Sequence, residues 1–105
     1  MILSVNNTLI EDIEVAKSSG FTADFMYLEQ KIIDRKTKKE YANKDCLLIE
    51  FCRHEGMNDP SDSSILFLIE CNDNTKGCLS SAYGKDANQN LIDFVIKLNK
   101  KKSKL

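Results

Sequence analysis

Cys52, Arg53, His54 and Glu55 lie in one run of this chain, and their types are the first that could do chemistry. An imidazole can carry a proton near neutral pH, and a thiolate can attack a carbonyl or hold a soft metal. His54 is the single histidine. On an extended strand Cys52 and His54 share a face, two residues apart. A Cys-His pair also needs bonding contact and a pocket, which alternation does not supply. No residue is therefore assigned a catalytic role. Downstream, Glu55, Asp59 and Asp62 form the one cluster of carboxylates, and hard cations such as calcium take oxygen ligands on flexible loops. The spacing is not that of an EF-hand, and Asp59-Pro60 followed by Ser61-Asp62-Ser63 also suits turn formation and amide capping. Arg53, His54, Glu55, Asp59 and Asp62 stand as a candidate polar loop, with no metal or cofactor assigned.

The four cysteines raise two further chemistries. Zinc ligands usually come in close pairs such as Cys-x2-Cys, whereas Cys46 and Cys52 are spread along one strand and Cys71 and Cys78 flank a turn. The N-terminus has no basic region followed by a sustained apolar stretch, so no signal peptide is expected and a cytoplasmic, reducing setting is the default. The cysteines then act as small buried hydrophobes. A bridge between Cys71 and Cys78 across their turn is the one disulfide the order of elements suggests.

The elements that must position these residues centre on two apolar runs. Segments 46–53 and 64–71 are too short for average helices and are joined by a loop rich in Gly, Pro, Asn and Asp, so they read as an antiparallel pair. Strict alternation puts Leu47, Ile49 and Phe51 on one face with Ile65, Phe67 and Ile69, the expected core face. The reverse face then carries Leu48, Leu66 and Leu68 beside Glu50 and Glu70. Glutamates next to leucines suit a surface that is partly covered, so these five form a candidate interaction face.

A third strand is expected over 77–83 and another over 25–34, with a short strand near Tyr41. Thr8-Leu9-Ile10-Glu11 has the capping-box form and opens a helix over 8–18, closed by Gly20. Leu91, Phe94, Val95 and Leu98 recur at helical spacing, predicting a second helix over 88–100 and a basic tail over 100–105. With 105 residues, one domain is expected: an α+β fold whose antiparallel sheet of four to five strands carries both helices on one face.

Gly20-Phe21-Thr22-Ala23-Asp24-Phe25, Glu55-Gly56-Met57-Asn58-Asp59-Pro60-Ser61-Asp62-Ser63-Ser64 and Lys76-Gly77-Cys78-Leu79-Ser80-Ser81-Ala82-Tyr83-Gly84 give the chain a recognisable outline. It resembles a family of small uncharacterised bacterial proteins, some labelled phosphoribosylpyrophosphate synthetase, and the resemblance covers nearly the whole length. Diphosphate transfer calls for a phosphate-cradling glycine loop and metal-holding carboxylates on a larger α/β body, and this chain has neither. Ser81 also stands where the family pattern has an acidic residue, and Lys85-Asp86 replaces an apolar-aromatic pair.

A formal net charge of -1 gives no electrostatic case for nucleic acid or an anionic membrane, and no run approaches membrane-spanning length. The expected function is a non-enzymatic binding or self-assembly module, with another copy or another protein as partner. The alternative is a small enzyme or ligand- or metal-binding protein using Cys52, His54 and the acidic loop.

Overall fold

A computed structural model describes residues 2–55, 63–84 and 87–100. Its elements run in the order α1 (Leu9–Ser18), β1 (Ala23–Leu28), β2 (Lys31–Asp34), β3 (Glu40–Tyr41), a 3-10 turn (Asn43–Asp45), β4 (Cys46–His54), β5 (Ser64–Cys71), β6 (Lys76–Ala82), α2 (Gln89–Ile96) and β7 (Asn99–Lys100). All seven strands form one sheet in the order β3-β2-β1-β6-β5-β4-β7, curled into a half-barrel. The sheet is mixed. β1 runs parallel to β6 and β7 parallel to β4, while the other pairs are antiparallel. The expected four to five antiparallel strands are therefore overturned.

Each departure has a local cause. The strand expected over 25–34 is a hairpin, because Glu29 and Gln30 adopt positive φ (49° and 66°) and reverse the chain. That two-residue turn usually calls for Asn or Gly, so the sequence carried no signal for it. The helix expected to reach residue 100 stops at Ile96, where Leu98 tucks into the core and Asn99–Lys100 join the outer edge of β4. The β1–β6 seam depends on Gly77, since a Cβ there would lie 2.4 Å from the Ala23 carbonyl oxygen.

The helices lie on opposite faces, and a β-bulge lets β4 contribute to the layers beneath both. Leu48 pairs with Ile69 and Glu50 with Leu68, so Ile49 is the extra residue. Before the bulge Cys46 and Leu48 join Ile65, Phe67 and Ile69 in the layer packed on α2, together with Phe25, Ile32, Tyr41 and Val95. After it Cys52 joins Leu66 and Leu68 in a second layer beneath α1, with Ala16, Phe21 and Leu3, and Ile49 packs at its margin. Phe67 is buried as expected, but the face assigned to Leu47 belongs to Leu48 instead.

Local chemistry fixes the ends. Thr8 Oγ1 accepts from the Glu11 amide and Glu11 accepts from the Thr8 amide, a complete capping box. Gly20 ends α1 at φ 102°, letting the Phe21 amide bond back to the Ala16 carbonyl. Asn88 caps α2 through the Leu91 amide. At the far end of the sheet, Asp73 accepts from Lys39 Nζ (2.7 Å) and Tyr41 Oη (2.9 Å), clasping β3 and its approach to the β5–β6 turn.

Candidate functional site

The chemistry-bearing residues converge on β4, which presents a buried face, a polar end and an open edge. On the face beneath α1, Cys52 and His54 point the same way, and the fourth residue of α1, Asp12, comes down between them. All three are buried, and one ligand-type atom from each lies within 4.8 Å of the others. His54 Nε2 is 2.6 Å from Asp12 Oδ2. The carboxylate also accepts from the Ser4 amide (3.1 Å) and from Asn7 Nδ2 (2.8 Å). Asp12 is thus satisfied in a fully buried position, which an isolated carboxylate could not occupy. His54 Nδ1 is different: it is buried and has no hydrogen-bond partner among the described residues.

A second carboxylate on the same face does parallel work. Glu50 accepts from the amides of Ile2 (2.9 Å) and Leu3 (2.6 Å), so Asp12 and Glu50 together strap the N-terminal segment across the sheet. A cleft of about 580 Å³ opens beside this strap, lined by 6–10, His54, Glu55 and Ser64. His54 therefore borders a concavity.

The Cys52 thiol does not suit a nucleophile. Burial, followed by the nearby Asp12 and Glu50 charges, pushes its pKa up, whereas reactive cysteines are held low by positive neighbours. Its sulfur lies 3.6 Å from the Arg53 carbonyl oxygen.

At the polar end, Arg53 pairs with Glu55 at 2.9 Å and lies 4.7 Å from the centre of the Tyr83 ring. Ser63 Oγ donates to Glu55 at 2.7 Å, and this bond, with the Arg53 partner, holds the Glu55 carboxyl below its usual range. Of the expected polar loop, Arg53, His54 and Glu55 are placed here but on different faces: Arg53 beside Tyr83, His54 beneath α1. Asp59 and Asp62 lie outside the described residues, as does the basic tail beyond residue 100.

The candidate interaction face is occupied within the chain. Leu66 and Leu68 are each 0% exposed beneath α1, Glu50 holds the N-terminal amides, and Leu48 belongs to the opposite layer because of the bulge. Glu70 is half-buried in the ladder opposite Leu47 and Lys76. Cys71 and Cys78 point to opposite faces, so the bridge across their turn has no geometry; Cys71 instead lies directly opposite Cys46.

What is exposed is the edge. β7 covers only Leu47 and Leu48, so among the described residues the outer side of 49–54 has no strand partner. Beside it stand Phe51 (52% exposed), Ile96 (54%) and Val5 (75%). A groove of about 530 Å³ runs there between Val5 and Lys100, floored by 48–53.

Sequence reasoning missed Asp12 and this edge. Asp12 had a signal: it stands on the helix face of Leu9 and Ala16, where a carboxylate needs buried donors. The edge had none, because strand order is not written in the strands' own composition. Among the described residues no helix is long and apolar enough to cross a membrane. No family model, curated protein or solved structure matches the chain.

Proposed function

We propose that the chain is a non-enzymatic self-assembly module whose second copy adds to the open edge of β4. The observation that carries this reading is the outer side of 49–54, which has no strand partner among the described residues, beside exposed Phe51, Ile96 and Val5. A free strand edge is a row of unpaired amides and carbonyls, and the simplest partner for such a row is an identical row under a two-fold axis. With that axis normal to the sheet, antiparallel pairing keeps each residue opposite one of the same face. Centring the pair on Phe51 sets Phe51 on its mate, Glu50 opposite Cys52 and Arg53 opposite Ile49. No like charges meet directly, which favours the pairing. The bonded segment is short, so the interface belongs to the weak class, with a dissociation constant on the order of 1–100 µM.

Sedimentation equilibrium over a wide concentration range tests this. The mass is expected to rise from 11.9 kDa toward twice that value. Phe51→Lys should hold the chain monomeric without changing its circular dichroism, because that side chain is half exposed. A wild-type chain that stays monomeric throughout, or a Phe51→Lys variant that associates equally well, overturns the reading.

A further inference from the structure

We infer that Asp12, Cys52 and His54 form a binding site for a thiophilic divalent transition metal, with zinc as the expected ion. The inference does not rest on pairing of the β4 edges.

Two observations carry it. First, a thiol, an imidazole and a carboxylate bring donor atoms within 4.8 Å of one another from two separate elements, α1 and β4. Sulfur, nitrogen and oxygen donors in this combination suit zinc and exclude calcium and magnesium, which take oxygen alone. Second, two of the donors already meet out of water. His54 is 5% exposed and Asp12 0%, and His54 Nε2 lies 2.6 Å from Asp12 Oδ2, so an ion would take the place of that one hydrogen bond, between the imidazole and the carboxylate, with the Cys52 sulfur as third donor.

The remaining surroundings are compatible. Asp12 is held in place by Ser4 and Asn7, the kind of outer support that fixes metal-binding carboxylates. Of the three residues, His54 borders the cleft lined by 6–10, Glu55 and Ser64. Binding exchanges the Cys52 S–H bond for a metal–sulfur bond and releases one proton to solvent, with no redox change. The ion would join α1 to β4 across more than forty residues of chain, and so would lock the N-terminal strap.

The test uses the full chain, reduced and stripped of metal with a chelator, then titrated with zinc against a chromophoric competitor and with cobalt as a spectroscopic probe. One equivalent per chain is expected, with a dissociation constant on the order of 1 µM or tighter near neutral pH and a thiolate-to-cobalt charge-transfer band. Cys52→Ala should abolish that band and weaken zinc at least about a hundredfold, and Asp12→Asn should weaken it at least about tenfold. Cys78→Ala, which removes the other thiol of the same layer, should change neither. As a second readout, zinc should raise the unfolding temperature of the wild type but not of Cys52→Ala. Binding no tighter than that of Cys52→Ala, or a charge-transfer band that survives in that variant, overturns the assignment. So does a wild-type unfolding temperature that zinc leaves unmoved.

Discussion

Replacing Gly77 with alanine tests the least expected feature of the sheet, the parallel seam between β1 and β6. The seam is narrow, with Ala23 opposite Gly77 and Asp24 opposite Cys78. A Cβ at Gly77 would lie 2.4 Å from the Ala23 carbonyl oxygen, 2.7 Å from its Cβ and 2.8 Å from its carbonyl carbon. Ordinary contact would need the strands to part by about 1 Å, which takes hydrogen bonds of ~2.9 Å out of bonding range. Losing about two such bonds at ~1 kcal/mol each, with ~1–2 kcal/mol of packing strain, is offset by ~0.5–1 kcal/mol of reduced backbone entropy in the unfolded chain. The net cost is about 2–3.5 kcal/mol, or roughly 8–28 °C in Tm for a domain of this size. Urea and thermal unfolding followed by circular dichroism give the number, and amide exchange over 23–28 shows where the sheet has loosened. Adding Ala23→Gly should recover little, because the closest atom is backbone oxygen. A Gly77→Ala cost below about 0.5 kcal/mol, or full rescue by Ala23→Gly, would refute the close approach.

Further outcomes follow from the Asp73 clasp and from the buried thiols. Lys39, then the Thr75 amide and hydroxyl, hold the Asp73 carboxyl well below the usual carboxylate range. A depressed folded-state value means that its stabilising contribution is full above the ordinary carboxylate pKa and is lost as the pH falls through the folded value. Asp73→Asn should therefore flatten the acid limb of the stability profile, and Lys39→Ala should move the Asp73 NMR titration upward; an unmoved midpoint would break the link. For the thiols, a diffusible oxidant should produce a Cys46–Cys71 cross-link, since those residues are directly opposed in the ladder, while peptide mapping should find none between Cys71 and Cys78. Burial pushes the Cys78 thiol up to about 11, so it should also be alkylated far more slowly in the native than in the unfolded chain.

The sequence announced what local physics decides. Thr8 and Glu11 mark a helix start because hydroxyl and carboxylate reach their amides at that spacing alone. Segment 64–71 reads as a strand because it is β-branched and apolar and has turn residues before and after it. What stayed hidden depends on partners distant in the chain. Gly77 reads only as the first residue of a strand until β1 is seen lying against it, and Glu29-Gln30 offers no turn chemistry although it reverses the chain. Within the candidate site, Cys52 and His54 were legible as a same-face pair. Asp12 was not joined to them, because nothing in α1 says which strand it will cover. Of the leucines offered as a docking surface, Leu66 and Leu68 were apolar for the opposite reason, having α1 on top of them, and Leu48 because it packs in the layer of α2.

The extra residue at Ile49 makes β4 two half-strands in opposite phase. Removing that single residue would restore a regular ladder, yet every position on one side of it would have to change layers. Held against β5 as now, 50–54 would pull Cys46 and Leu48 out of the layer beneath α2. Held at 46–48 instead, the chain would carry Glu50, Cys52 and His54 away from α1 and thrust Phe51 toward it. One irregularity thus synchronises the anchor for the N-terminus, the buried cysteine-histidine pair and the exposed aromatic of the rim, so none of the three can be shifted without the others.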